Sequence, residues 1–193
     1  MLLNIFQQFN WVDIFVLILL FRIGYVSLKR GLPVEIFKLL GTLAATYLSL
    51  HYYSLISLFF QPRLFNKKEP WVILEFFVFL ALVILGYFIF ILLRSIFYRF
   101  IKMEAVSYLN RWGGLVLGLI RGVLLIGLII FILVFSGINY FRVSAKHSFL
   151  GRRLFDIAPT TYSWLWNAVA SKFMTAEKFN NKVTEIQRGF AKK

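Results

Sequence analysis

The sequence has no cysteine, only two histidines and four prolines, and eight acidic residues against 22 basic ones. Without cysteine there is no disulfide framework and no thiolate chemistry. His51 and His147 are far apart in the chain and lack ligand-type neighbours, so neither a metal site nor a cofactor is expected. No internal repeat and no low-complexity linker marks off a second folded domain. No segment carries a nucleophile with a base, a His cluster or paired carboxylates, so an enzyme is not expected and no catalytic residue is assigned. Residues 1–10 hold no charged side chain. The apolar run that follows lacks the basic n-region and small-residue cleavage site of a signal peptide, and is expected to be retained.

What is present is apolar. The chain is 60% hydrophobic and 19% aromatic, with 23 Phe and a mean hydropathy of +0.77. A soluble domain carries about 45–50% apolar residues. Four runs are long enough to cross a bilayer, at about residues 11–28, 33–59, 71–93 and 112–136. The pattern predicts an all-α, polytopic membrane protein: a four-helix transmembrane bundle over residues 11–140, after the N-terminal segment 1–10 and before a basic tail over 141–193. In that tail Phe173, Ala176, Phe179, Val183, Ile186 and Phe190 recur at helical spacing with Lys178, Lys182 and Arg188 off the stripe. This predicts an amphipathic helix that lies on a membrane or packs on a partner. Tyr162, Trp164 and Trp166 read as an interfacial belt, as does the end of the second run at His51, Tyr52 and Tyr53.

The net charge of +14 invites a nucleic-acid reading. The distribution argues against it. Ten of the 22 basic residues lie after residue 140, against three acids there, and nine of the other twelve lie in the connections. Loops and tails of membrane proteins carry such a surplus, and anionic lipids are its expected partner rather than nucleic acid.

The connections at residues 29–33 and 94–111 lie on one side of the bilayer, side A. Residues 61–70 and both termini lie on side B. Arg30 and Gly31 make a tight turn into the second span, with Pro33 in its first turn, where a missing N–H costs nothing. Arg121 is nine residues past Trp112. At 1.5 Å per residue that is about 13 Å deep, near the middle of a core about 30 Å thick. Arg22 lies about 9 Å in from side A. Glu35 and Lys38 are shallower there and can pair at i, i+3. Asp13 and Glu75 lie near side B. The spans are thus basic toward side A and acidic toward side B. A charge at membrane depth costs about 2.5–3.5 kcal/mol, so these residues are expected to face the interior, pair, or mark a polar pathway.

Gly114, Gly118 and Gly122 recur every four residues and form a smooth stripe for close helix packing. The candidates for what meets it are the second span, through Gly41, Ala44 and Ala45, and another copy of the chain. A homo-oligomer or another membrane protein is accordingly an expected partner. The third span is expected to be the most lipid-exposed.

The residues Trp11, Val12 and Asp13, then Ser27 to Gly31 with Glu35, then Asn110 to Gly114, Gly118, Arg121 and Gly122 are similar in order and spacing to the bacterial colicin V production protein family over about residues 10–137. The resemblance implies a four-span, multi-pass protein of the bacterial inner membrane, linked by the family's name to export of a peptide toxin (a toxin biosynthetic process). It supplies no catalytic or binding residues. It implies that side A is cytoplasmic. Charge alone does not orient the chain: Lys29, Arg30, Arg94, Arg99, Lys102 and Arg111 on side A stand against Arg63, Lys67, Lys68, Arg142, Lys146, Arg152 and Arg153 on side B. Two roles follow as expectations: assistance to peptide export or solute passage through the bundle, and interaction or envelope assembly through the tail.

Overall fold

A computed structural model describes residues 10–64, 71–100, 107–175 and 177–191. Residues 1–9, Lys67, Lys68, Glu69, Lys102 and Ala176 lie outside the described residues, as do the side chains of Arg63 and Arg99. The described residues are almost wholly helical, and none of them forms a strand. Four long helices are α1 (Trp11–Arg30), α2 (Leu32–Leu64), α3 (Trp71–Phe100) and α4 (Ser107–Phe135). Each is long and apolar enough to cross a membrane. The polytopic all-α bundle is therefore as the sequence predicts, with longer helices. Residues 94–100 and 107–111, expected in a loop, continue α3 and begin α4.

The start of α1 is fixed by a capping box: Val12 N–H donates to Asn10 Oδ1 at 2.7 Å, and Asn10 N–H donates to Asp13 Oδ2 at 3.0 Å. This satisfies donors that a helix start leaves open. Its end is set by Gly31, whose φ of +80° suits glycine and whose N–H reaches Ser27 O. The side chain of Asn110 in α4 accepts the next N–H, from Leu32, at 2.7 Å. The turn between α1 and α2 is thereby pinned from a distant helix.

α2 and α3 pack as an antiparallel hairpin over small residues. A Cβ on Gly86 would lie 2.8 Å from Ala45 Cα, and one on Gly41 would lie 2.8 Å from Phe90 Cβ. So the small residues of the second span serve α3. The rest of α3 faces outward, with Ile73, Phe77, Ile84, Phe88 and Ile96 all more than half exposed. Without a membrane these would be liabilities; in lipid they are the solvent-facing surface.

After α4 come α5 (Asn139–His147), α6 (Phe149–Leu154) and α7 (Ile157–Leu165), a π-helical turn at Trp166–Ala170 that runs on through Ser171–Phe173, and α8 (Asn181–Ala191). These elements form a cap on the side-B end of the bundle. Phe155 stacks on Phe131 of α4 at 5.7 Å and meets Phe190 of α8 at 4.1 Å. Gly127 lets the segment approach: a Cβ there would lie 2.8 Å from Leu154 O. The tail stripe is used inside this chain. Val183 and Phe190 are buried, Phe179 and Ile186 are half-buried, and among the described residues of the stripe only Phe173 projects outward. Tyr162 and Tyr53, expected at an interface, are fully buried because the cap covers them.

Candidate functional site

The first polar centre sits toward side A. Glu35, in the first turn of α2, is completely buried. Lys38 donates to Glu35 Oε1 at 2.5 Å, the i, i+3 pair that the spacing predicts. Arg121 of α4 donates from Nε to Glu35 Oε2 at 2.9 Å. Lys38 and Arg121 are themselves buried, at 7% and 6% exposure, so two cations share one carboxylate with little solvent. A lone buried charge is strongly destabilising; pairing both cations on Glu35 offsets their desolvation. The hydroxyl of Ser27 in α1 is buried beside this centre and has no hydrogen-bond partner among the described residues.

The glycine stripe makes the centre possible, and its partner is α1. A Cβ on Gly114 would lie 2.8 Å from Gly31 C and 2.9 Å from Ser27 O. One on Gly118 would run into the Ser27 side chain, and one on Gly122 would meet Ile23 at 3.2 Å. Within this chain the stripe packs on α1, and the second span touches it only near Glu35, whose Oε2 would lie 3.5 Å from a Cβ on Gly118. The close approach of α1 and α4 brings Arg121 to the turn where Glu35 begins α2.

Arg22 does not join this centre. It lies on the exposed outer face of α1 between Phe21 and Tyr25, with no ion pair among the described residues. Arg30 is exposed at the turn.

A feature that charge counting passes over runs along α2. Glu35, Lys38, Thr42, Thr46, Ser49, Tyr53 and Ser57 are all buried and fall three or four residues apart, on one helical face. Thr42 and Thr46 each donate to the carbonyl four residues earlier, at 2.9 and 2.8 Å. Ser49 and Ser57 bond three residues back. The face runs from residue 35 to residue 57, a rise of about 33 Å. Its hydroxyl spacing is visible in the sequence, hidden only because such residues look mild within an apolar run.

At side B the two acids of the spans both engage the cap. Asp13 is buried and accepts Ser148 Oγ–H at 2.7 Å, Leu150 N–H at 2.7 Å and Phe149 N–H at 3.3 Å. It therefore anchors α6 rather than marking a pathway. Glu75 accepts from Lys182 Nζ of α8 at 2.6 Å. These two carboxylates serve different elements and do not form a pair.

His51 is the residue that sequence reasoning missed. It is buried, stacked between Tyr47 at 5.2 Å and Trp166 at 5.1 Å. Its Nδ1 lies 2.9 Å from Tyr162 Oη, and its Nε2 lies 2.7 Å from Glu177 Oε2. Asn180 N–H donates to the same Tyr162 oxygen at 3.0 Å. All groups are satisfied when Tyr162 donates to Nδ1 and Nε2–H donates to Glu177. Tyr52 donates to Glu177 as well, at 2.9 Å. Asn180 Nδ2–H reaches Leu50 O at 2.8 Å. Burial pushes the Tyr162 phenol up to about 12, so it is a neutral donor across the physiological range. No local pattern links His51 to Glu177, 126 positions away.

Residues 12–176 match the model of the family described as Colicin V production protein. The match runs past the four long helices and through most of the cap, further than residue 137. No curated protein and no solved structure matches.

Proposed function

For a chain that belongs to the colicin V production protein family, we propose a supporting role in peptide-toxin export as a multi-pass inner-membrane protein that scaffolds other components and does not itself form the passage. One observation carries this reading. Both oxygens of Glu35 are taken, one by Lys38 and the other by Arg121. The charges buried inside the bundle toward side A are thus spent on joining α2 to α4, and are not presented to a solute. The acids near side B are likewise engaged by the cap. The chemistry of such a bundle is recognition and assembly, with no reaction of its own.

A second reading, solute passage, has one observation in its favour: the buried hydroxyl face of α2 between Glu35 and Ser57. Water admitted along that face would meet polar side chains across about the thickness of the hydrocarbon core.

One experiment separates the two. Cells lacking the protein are complemented with a charge-free variant, Glu35→Leu with Lys38→Leu and Arg121→Leu, and export of the peptide toxin is measured alongside membrane insertion. Replacing a buried ion cluster by apolar side chains of similar volume is often neutral for stability. Export retained by the inserted variant supports scaffolding. Export lost while the protein inserts and keeps its melting temperature overturns it and favours passage.

A further inference from the structure

We propose that a basic cavity in the side-B cap, between α5, α6 and the end of α8, binds the phosphate of an anionic phospholipid. The cavity has a volume of about 680 Å³, within the range of about 300–1,000 Å³ typical of ligand sites. Its polar wall is Lys146, His147, Arg152 and Arg153, and Phe149 and Phe190 give it an apolar side. Among the described lining residues the one acid, Asp156, already accepts from Gln187 Nε2 at 2.9 Å. Two adjacent arginines against one engaged carboxylate among the described lining residues favour an anion. Two adjacent arginines favour phosphate, because the guanidinium fork matches its oxygens.

The site is built rather than incidental. The Arg153 guanidinium lies 4.2 Å over the Phe149 ring, which holds it in place at the wall. Arg142 Nη2 donates to Gly189 O at 3.1 Å, which ties α5 to α8. Asp13 fixes the start of α6 from below through Ser148, Phe149 and Leu150.

Its depth identifies the source of the phosphate. Asn10, the cap of α1, donates from Nδ2 to Ser144 O at 2.6 Å, so the cavity lies level with the point where α1 enters the apolar layer. Trp11 stacks on Tyr140 there at 6.2 Å with the rings 2° from parallel. Exposed Trp and Tyr at a helix end mark the headgroup region. A lipid with its phosphate in the basic wall can lay its glycerol against Phe149 and Phe190. The assignment is independent of whether the bundle scaffolds or conducts.

The test is native mass spectrometry of the delipidated full-length protein titrated with phosphatidylglycerol or with zwitterionic phosphatidylcholine, with and without excess inorganic phosphate. Arg152→Gln with Arg153→Gln should lower phosphatidylglycerol affinity about tenfold or more. Lys172→Gln with Lys178→Gln removes equal charge from exposed positions elsewhere in the cap and should leave affinity unchanged. Equal loss in both double variants would overturn the site in favour of diffuse surface charge. Equal retention of both lipids, or displacement of phosphatidylglycerol by inorganic phosphate alone, would overturn the lipid assignment. Melting temperature, followed for every variant, separates lost binding from lost fold.

Discussion

The Arg121 guanidinium donates to Glu35 Oε2 at 2.9 Å, joining residues 86 apart in the chain. Glu35 is the hub, since Lys38 holds its other oxygen. Glu35→Ala therefore strands two buried cations, whereas Arg121→Leu leaves the Glu35–Lys38 pair intact. Glu35→Ala is expected to cost about 3–5 kcal/mol and Arg121→Leu clearly less. Thermal unfolding of the purified variants in detergent checks the order, and a lower melting temperature for Arg121→Leu would reverse the assignment of the hub.

The glycine stripe predicts a graded series. Gly114 faces backbone, Gly118 faces the Ser27 side chain closely, and Gly122 faces the Ile23 side chain at 3.2 Å, which a small shift relieves. Alanine should therefore be most destabilising at 114, less at 118 and least at 122, with overpacking of about 1–3 kcal/mol at the first two. Ser27→Gly should rescue Gly118→Ala and fail to rescue Gly114→Ala. Rescue of both would show that the backbone contact at Gly114 is loose.

Asp13→Ala removes the acceptor for the hydroxyl of Ser148 and the N–H groups of Phe149 and Leu150. The cap should loosen while the four long helices persist. Limited trypsin digestion should then cut at Arg152 and Arg153 sooner than in the parent protein, with an unchanged helical circular-dichroism signal. Equal cleavage rates would mean that Asp13 does not hold α6.

Tyr162 gives the cap a dependence on alkaline pH. Its folded pKa is raised to about 12 from a reference of 10.0, chiefly by burial. Its contribution is complete below pH 10 and is lost as pH rises toward 12, because the unfolded chain releases the proton first. Melting temperature should fall more steeply between pH 10 and 12 in the parent than in Tyr162→Phe. Identical slopes would place Tyr162 in contact with water.

Much of the architecture was legible because it is local. Four apolar runs, the Gly31 turn and the Glu35–Lys38 pair depend on spacing within a few residues. The tail stripe was legible as a stripe too: Val183 and Phe190 are on its buried side. Its partner was not, since Phe155 and a lipid surface offer the same apolar contact. Arg22 and Arg121 looked alike as deep cations without local acids. One faces outward and the other faces Glu35, a distinction set by how far each helix turns about its axis.

The number and order of the membrane-length helices follow from the chain alone, because length, hydropathy and helical period act along it. That the glycines meet α1, that Arg121 reaches Glu35, and that Asp13, Glu75 and His51 hold the cap are settled in three dimensions. Those outcomes depend on helix rotation and on contacts between residues far apart in the chain, and a period of 3.6 residues identifies a face without saying what covers it.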